Sequence, residues 1–204
     1  MASKAKARVD ATSSSATRSP GHRIGLTDSQ IIDAALELID DGCQSLTFAD
    51  VARRLDVRLP SLYTHVKGFD ELKRLMRIRV SRELNEYLHD AALNRRGSEG
   101  LREVLSAARK YAVERPGRWL VATNIQIDEH DSELELTVRY GRASVHGFLR
   151  SFGIAESDLN YWEVFVWSWT YGYINLELTF NSTRFTETQF VDMLDEVVRV
   201  VSEH

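Results

Sequence analysis

Cysteine occurs once in the 204 residues, at Cys43. That excludes an intramolecular disulfide framework and any zinc site built from several cysteines, and it suits a reducing compartment. Proline is almost as scarce: Pro20, Pro60 and Pro116 leave 61–115 and 117–204 without any. Proline-free stretches of this length, with glycines at their junctions, point to an all-α chain. No run of about eighteen apolar residues occurs, so no transmembrane helix and no membrane partner are expected. The first residues carry Lys4, Lys6 and Arg8, but residues 9–19 are rich in Ser, Thr and Ala without an apolar run, unlike a secretory signal. The chain reads as soluble and cytoplasmic.

A basic excess is missing too. The net charge is −4 and the pI about 5.9, which as an average speaks against a nucleic-acid partner, since phosphate contacts need Lys and Arg. Catalytic signatures are also absent: no glycine-rich phosphate loop, no Gly-x-Ser-x-Gly elbow and no His-Glu-x-x-His pair. Asp128-Glu129-His130-Asp131 has metal-ligand residue types, but four consecutive residues cannot all converge on one ion, so it reads as a solvated charged loop. The expectation is no catalytic residue, no metal and no cofactor. Cys43 is expected to be a small buried residue under the turn between the first two helices.

What is present is an ordinary apolar share, 43%, with helical periodicity. Residues 1–25 form a basic arm with no apolar pattern, expected to be disordered, carrying a charge of +4; it is either a solubilising leader or a DNA-touching arm. Thr27-Asp28-Ser29-Gln30 has the capping-box form, and Ile31, Ala35 and Leu38 follow at helical spacing. Gly42 suits the left-handed end of that helix. Thr47-Phe48-Ala49-Asp50 opens a second, short helix with Val51, Ala52 and Leu55 inward. Asp56 can take the tight turn. Pro60 belongs in the first turn of a third helix, with Leu62 and Val66 inward and Ser61, Tyr63, Thr64 and His65 outward. A long fourth helix runs from about Gly68 to Leu93. Further helices are expected over about 99–114, 119–127, 131–152, 157–180 and 186–202.

Two short helices joined by a tight turn, the second carrying small polar residues outward, match a helix-turn-helix. Residues 27–76 resemble the N-terminal domain of the tetracycline-repressor (TetR) family of transcriptional regulators. The resemblance is carried by Ile31-Ile32-Asp33-Ala34-Ala35-Leu36, by Gly42 with Leu46-Thr47-Phe48, by Val51-Ala52-Arg53-Arg54-Leu55-Asp56-Val57, and by Pro60-Ser61-Leu62-Tyr63-Thr64-His65-Val66-Lys67-Gly68. It implies that Thr47 caps the second helix and touches a phosphate. Arg58, Leu59, Pro60, Ser61 and Thr64 would meet base edges, while Tyr63, His65 and Lys67 would meet phosphates. Asp56 stands where glycine is usual, and Phe69 where some members carry a phosphate-binding base.

Trp167-Ser168-Trp169-Thr170-Tyr171-Gly172 is similar to the Trp-x-x-x-His-Gly signature of the WHG subclass, with Tyr171 in place of the His. The resemblance implies an all-α chain in parts: the arm (1–25), an N-terminal three-helix helix-turn-helix DNA-binding domain (26–80), and a C-terminal helical ligand-binding and dimerisation domain (81–204). The segment 157–180 is apolar on nearly every side, so one side can face a second subunit; a homodimer through the last two helices is expected. Tyr111, Trp119, Tyr140, His146, Trp162, Trp169 and Tyr173 are candidates to line an effector cavity, the alternative for each being core. The function implied is that of a repressor released from a palindromic double-stranded operator by a small, largely apolar effector. The alternative is a helical small-molecule-binding protein or enzyme with an incidental helix-turn-helix. Split by segment, the charge is −1 over 26–80 and −7 over 81–204, so the acidic average conceals a basic arm and an acidic remainder.

Overall fold

The computed structural model describes residues 25–124, 131–180 and 185–204. The basic arm up to residue 24, the end of the 119–127 segment and Asp128, Glu129 and His130 lie outside the described residues. Among those described there are nine helices and no strand: α1 (Asp28–Asp40), α2 (Phe48–Arg54), α3 (Leu59–Tyr63), α4 (Phe69–Ala92), α5 (Gly97–Glu114), α6 (Pro116–Asn124), α7 (Ser132–Ser151), α8 (Leu159–Phe180) and α9 (Glu187–Ser202). The all-α fold is the one expected from the sequence.

Local chemistry sets the ends of the early helices. Thr27 closes a reciprocal capping box on Gln30, and Thr47 does the same with Asp50, so the first free N–H groups of α1 and α2 have partners. Gly42 ends the α1 turn at φ 86°, and Asp56 takes φ 51° in the turn before α3. Pro60 is the second residue of α3, where no intrahelical N–H bond is lost. Pro116 likewise starts α6, so the proline expected to punctuate the chain opens a helix directly. Thr186 provides a third capping box, for α9.

Ile31, Ala35, Val51, Leu62, Val66 and Leu72 are fully buried and lock α1, α2 and α3 against the start of α4. Each of the larger ones contributes about 1.5–3 kcal/mol by leaving water. α4 then runs on to pack against α5, α6 and α7, and α5 sits at the centre, also touching α8 and α9. Cys43 is half-buried rather than buried, because the loop around it edges an open groove of about 1190 Å³ between α1, α4 and α6.

Two features tie the first three helices to the rest. Gly117 on α6 lies so close to α1 that a Cβ there would stand 2.5 Å from Ile39 Cγ2 and 3.0 Å from its carbonyl oxygen. Arg118 bridges Asp40 at the end of α1 (2.8 Å) and Glu83 on α4 (2.5 Å). Farther along, Asp131 caps α7 and receives Arg74 from α4 at 2.5 and 2.9 Å. The Arg74 guanidinium holds the Asp131 carboxyl below its usual range.

A folded-state pKa below the unfolded one adds stability above the unfolded value, 3.8, and loses it as pH falls through the folded one. Asp131→Ala should therefore cost about 2 kcal/mol near neutral pH, Asp131→Asn less because Asn still caps, and both differences should shrink below about pH 4. Urea melts across pH would show it; equal loss at about pH 3 and pH 7 would count against the Arg74 pair.

Candidate nucleic-acid interface and half-open cavity

The outer face of α3 follows from what its inner face buries. With Leu62 and Val66 at the core, Arg58, Leu59, Pro60, Ser61, Tyr63, Thr64 and Lys67 are all exposed. Leu59 is 39% exposed, an apolar side chain kept in water on a face otherwise polar. The Tyr63 ring leans edge-on against Phe48 at 5.0 Å while staying 55% exposed, which aims its hydroxyl outward. Phe69 packs edge-on against Phe48 at 5.8 Å, and Lys73 stands over the Phe69 ring. The residue that departs from the family's basic position is thus a packing residue for α2, and the cation beside it is Lys73.

Several side chains expected at phosphates already have partners. Thr47's hydroxyl donates to Asp50 and accepts from its N–H, and the bonds that the Asp50 carboxyl receives from that hydroxyl, Arg53 and the Thr47 N–H hold it low. The Thr64 hydroxyl donates to the Ser61 carbonyl (2.7 Å), and His65 Nδ1 lies 3.0 Å from Asp28 Oδ1. His65 is half-buried and braces α1 against the end of α3. Arg54 pairs with Asp41, Lys73 with Asp70, Arg74 with Asp131 and Arg79 with Asp33. Arg53 pairs with Asp50. Among the described residues, Arg58 and Lys67 form no ion pair. Much of the basic residue count of this region is therefore internal clamping, which charge counting along the sequence does not reveal.

The seven aromatic and histidine candidates do not gather. Tyr111 and Trp119 are fully buried core residues. Tyr111 bonds Glu83, and burial pushes its hydroxyl up. Trp119 donates to Asn175 Oδ1 at 3.0 Å. Trp162 is buried beside His204. Tyr140 is 59% exposed on α7. His146 bonds Glu163 at 2.8 Å. Trp169 and Tyr173 alone share a groove, about 330 Å³ between α8 and α9.

A different cavity, half open to solvent and about 320 Å³, lies among α4, α6, α7 and α8, with Arg142, Val164, Ser168 and Tyr171 exposed along its rim. Arg77, Asn85, Arg142, Glu163, Trp167 and Tyr171 are on its walls. Glu163, buried, is held by Arg142 Nε at 3.0 Å and by His146 Nε2 at 2.8 Å. Trp167 and Tyr171 stack with centroids 5.3 Å apart and planes 25° from parallel. Sequence reading did not place these residues in a cavity. A signal existed: Glu163 and Arg77 are charges placed within otherwise apolar helix faces, and Arg77, Ser81, Leu84, Asn85 and Leu88 repeat at helical spacing along α4.

The exposed face of α8 is also informative. Tyr161, Val164, Ser168, Gly172 and Leu176 recur at three- and four-residue steps and are all exposed, and Val191 and Met193 of α9 are exposed as well.

This geometry, a short braced helix with outward polar groups on an otherwise helical body, defines a helix-turn-helix DNA reader. No protein-family model matches the chain. It is 30% identical over 165 residues to an uncharacterised HTH-type transcriptional regulator of Mycobacterium tuberculosis, Rv0681, spanning 80% of this chain and 76% of that one. It is also 30% identical over 115 residues to an uncharacterised HTH-type transcriptional regulator of Bacillus subtilis, YobS, across 56% of this chain and 59% of that one. Among solved structures, BioQ with its double-stranded DNA operator superposes with a TM-score of 0.65 at 20% identity, over 88% of this chain and 99% of BioQ. A TetR variant from Acinetobacter baumannii, in complex with minocycline, gives 0.65 at 20% identity, over 87% and 97%. The chain belongs to the helix-turn-helix transcriptional regulators, which bind DNA, and its fold is that of the TetR structures on which it superposes. Among the described residues no helix is long and apolar enough to cross a membrane.

Proposed function

We propose that the protein is a cytoplasmic, homodimeric repressor that holds a palindromic operator until a small, largely apolar effector releases it. In this reading residues 1–25 are a basic arm, 26–80 the reader, and 81–204 the effector-binding and dimerisation part. The observation that carries it is the face of α3 and its flanking residues: Arg58, Ser61, Tyr63 and Lys67 stand outward around an exposed Leu59, with the inner side locked by Leu62 on the helix and Val66 just after it. Base edges take contacts of this kind from Arg, Ser and apolar side chains, and phosphates take them from Tyr and Lys. The α8 stripe and the exposed edge of α9 are apolar surface that a second copy would cover, setting two α3 helices about one DNA turn, or a multiple, apart. Gly117 against Ile39 and Arg118 on Asp40 are the contacts through which a shift of α6 reaches α1. Coupling worth about 1–3 kcal/mol is what such a switch requires.

The test begins by incubating the protein with sheared genomic DNA and sequencing what it retains, which yields an operator. Binding is then followed against salt for the pair Tyr63→Phe with Lys67→Ala; Phe keeps the ring on Phe48. Operator affinity should fall and the salt slope should flatten by about one unit per lost phosphate contact. Unchanged affinity in the double variant would sink the reader assignment. Independently, Leu176→Glu should shift sedimentation from dimer toward monomer by placing a charge in the stripe, and a dimer undisturbed by it would argue for another interface.

A further inference from the structure

The cavity among α4, α6, α7 and α8 sorts its polar groups in a telling way. Its neutral groups serve the fold: Asn85 Nδ2 donates to the Thr137 carbonyl at 2.8 Å, the Thr137 hydroxyl donates to the Glu133 carbonyl, and the Thr123 hydroxyl donates to the Trp119 carbonyl. Its acid, Glu163, has Arg142 on one oxygen and His146 on the other. Arg77 brings a second guanidinium to the wall from α4. Burial lowers its pKa, yet a guanidinium stays charged throughout the physiological range. A guanidinium carries five N–H donors, more than one partner uses. Arg77 and Tyr171 line the same cavity, and Tyr171 stacks on Trp167. Tyr171 is 37% exposed, and desolvation raises its hydroxyl's pKa above the ordinary tyrosine value. A cationic fork thus adjoins a flat aromatic surface, in a space at the small end of the roughly 300–1,000 Å³ that ligand pockets occupy.

We propose that this cavity binds a planar aromatic carboxylate of one or two rings, its carboxylate on Arg77 and its ring along Trp167 and Tyr171. The proposal rests on the ligand-responsive reading above and sharpens it: the effector is largely apolar in body but carries one negative charge. Planar, bidentate recognition is what a guanidinium offers a carboxylate, and burial strengthens it because water competes less. Dispersion and edge electrostatics favour a ring over an alkyl chain against the Trp167–Tyr171 pair.

The full chain is titrated with 2-naphthoate and with its uncharged counterpart 2-naphthamide, read by calorimetry and by quenching of tryptophan fluorescence. Naphthoate should bind saturably and about tenfold or more tighter than naphthamide. R77Q should erase that ratio while naphthamide affinity moves less than about twofold, and W167A should weaken both probes. R77K, which keeps the charge but not the fork, should hold an intermediate ratio. Circular dichroism melts of each variant establish that it is folded, and the ratio between the two probes is read within one variant, so a general loss of stability cannot imitate the result. Equal affinity for the two probes overturns the proposal, as does the failure of both to bind. Operator retention is measured separately with the same samples. Naphthoate that binds as expected without changing operator affinity leaves the cavity assignment standing and removes the release mechanism. A protein that never holds an operator removes the regulator reading and leaves the probe ratio as it was measured.

Discussion

Trp119→Ala should destabilise the protein by about 4 kcal/mol, within the range of roughly 3–5 for emptying a buried aromatic site. The indole is fully buried, packs edge-on against Tyr171 at 5.2 Å, and gives its N–H to Asn175. Removing it leaves a void between α6 and α8 and strands the Asn175 oxygen. A chain of this class has only about 5–15 kcal/mol in total, so the midpoint in urea should fall steeply. Trp119→Phe should recover most of the volume but not the hydrogen bond, and should lie between the two. Tyr140→Ala makes the natural control, because that ring is mostly in water and its loss should stay within about 0.5 kcal/mol. A Trp119→Ala loss below about 1 kcal/mol, coupled with weakened effector binding, would return Trp119 to the cavity wall where its composition first suggested it.

Removing residues 1–24 should weaken operator binding about tenfold or more near physiological salt and flatten the dependence of log affinity on log salt. Few charges on the folded reader are left to reach phosphate. Arg53, Arg54, Lys73, Arg74 and Arg79 each pair with an acid, and among the described residues Arg58 and Lys67 are the exposed cations of this region without an ion pair. With Arg58 turned to base edges, one Lys67 per protomer gives a dimer a slope of only about −2, at roughly 0.9 per phosphate neutralised. The deleted segment carries Lys4, Lys6, Arg8, Arg18 and Arg23 against Asp10. If it lies along the duplex, its loss takes several released counterions with it. A slope unchanged by truncation would make the segment a solubilising leader, the other reading of its composition.

Helix ends are legible in the sequence because their causes are local: Thr27 with Gln30, Thr47 with Asp50, Gly42 and Asp56 in left-handed turns, Pro60 near a helix start. The α3 face is legible because the periodicity of Leu62 and Val66 assigns every neighbouring side chain a direction. The cavity is not, and α8 shows why. That helix is apolar almost all round, so periodicity gives it no phase, and nothing local says whether Trp162, Trp169 or Tyr171 turns toward α4. Rotation is decided by packing against α5 and α7, which depends on residues far away in sequence. The same holds for the arginines. Arg74 meets Asp131 across 57 positions and Arg109 meets Glu177 across 68, so residue counts overstate the charge left for DNA.

One feature of the cavity bears on time rather than affinity. Its lining includes Val164 and Ser168, which belong to the exposed stripe of α8, and Tyr171 beside them. Where a second copy covers that stripe, it covers the part of the cavity's mouth that Val164 and Ser168 form. A bound molecule then leaves more slowly from the pair than from a single copy, and its residence belongs in part to the pair. Dilution toward monomer should therefore hasten release while the intrinsic contacts stay as they are, and the memory of an effector pulse would lengthen as the protein becomes more abundant.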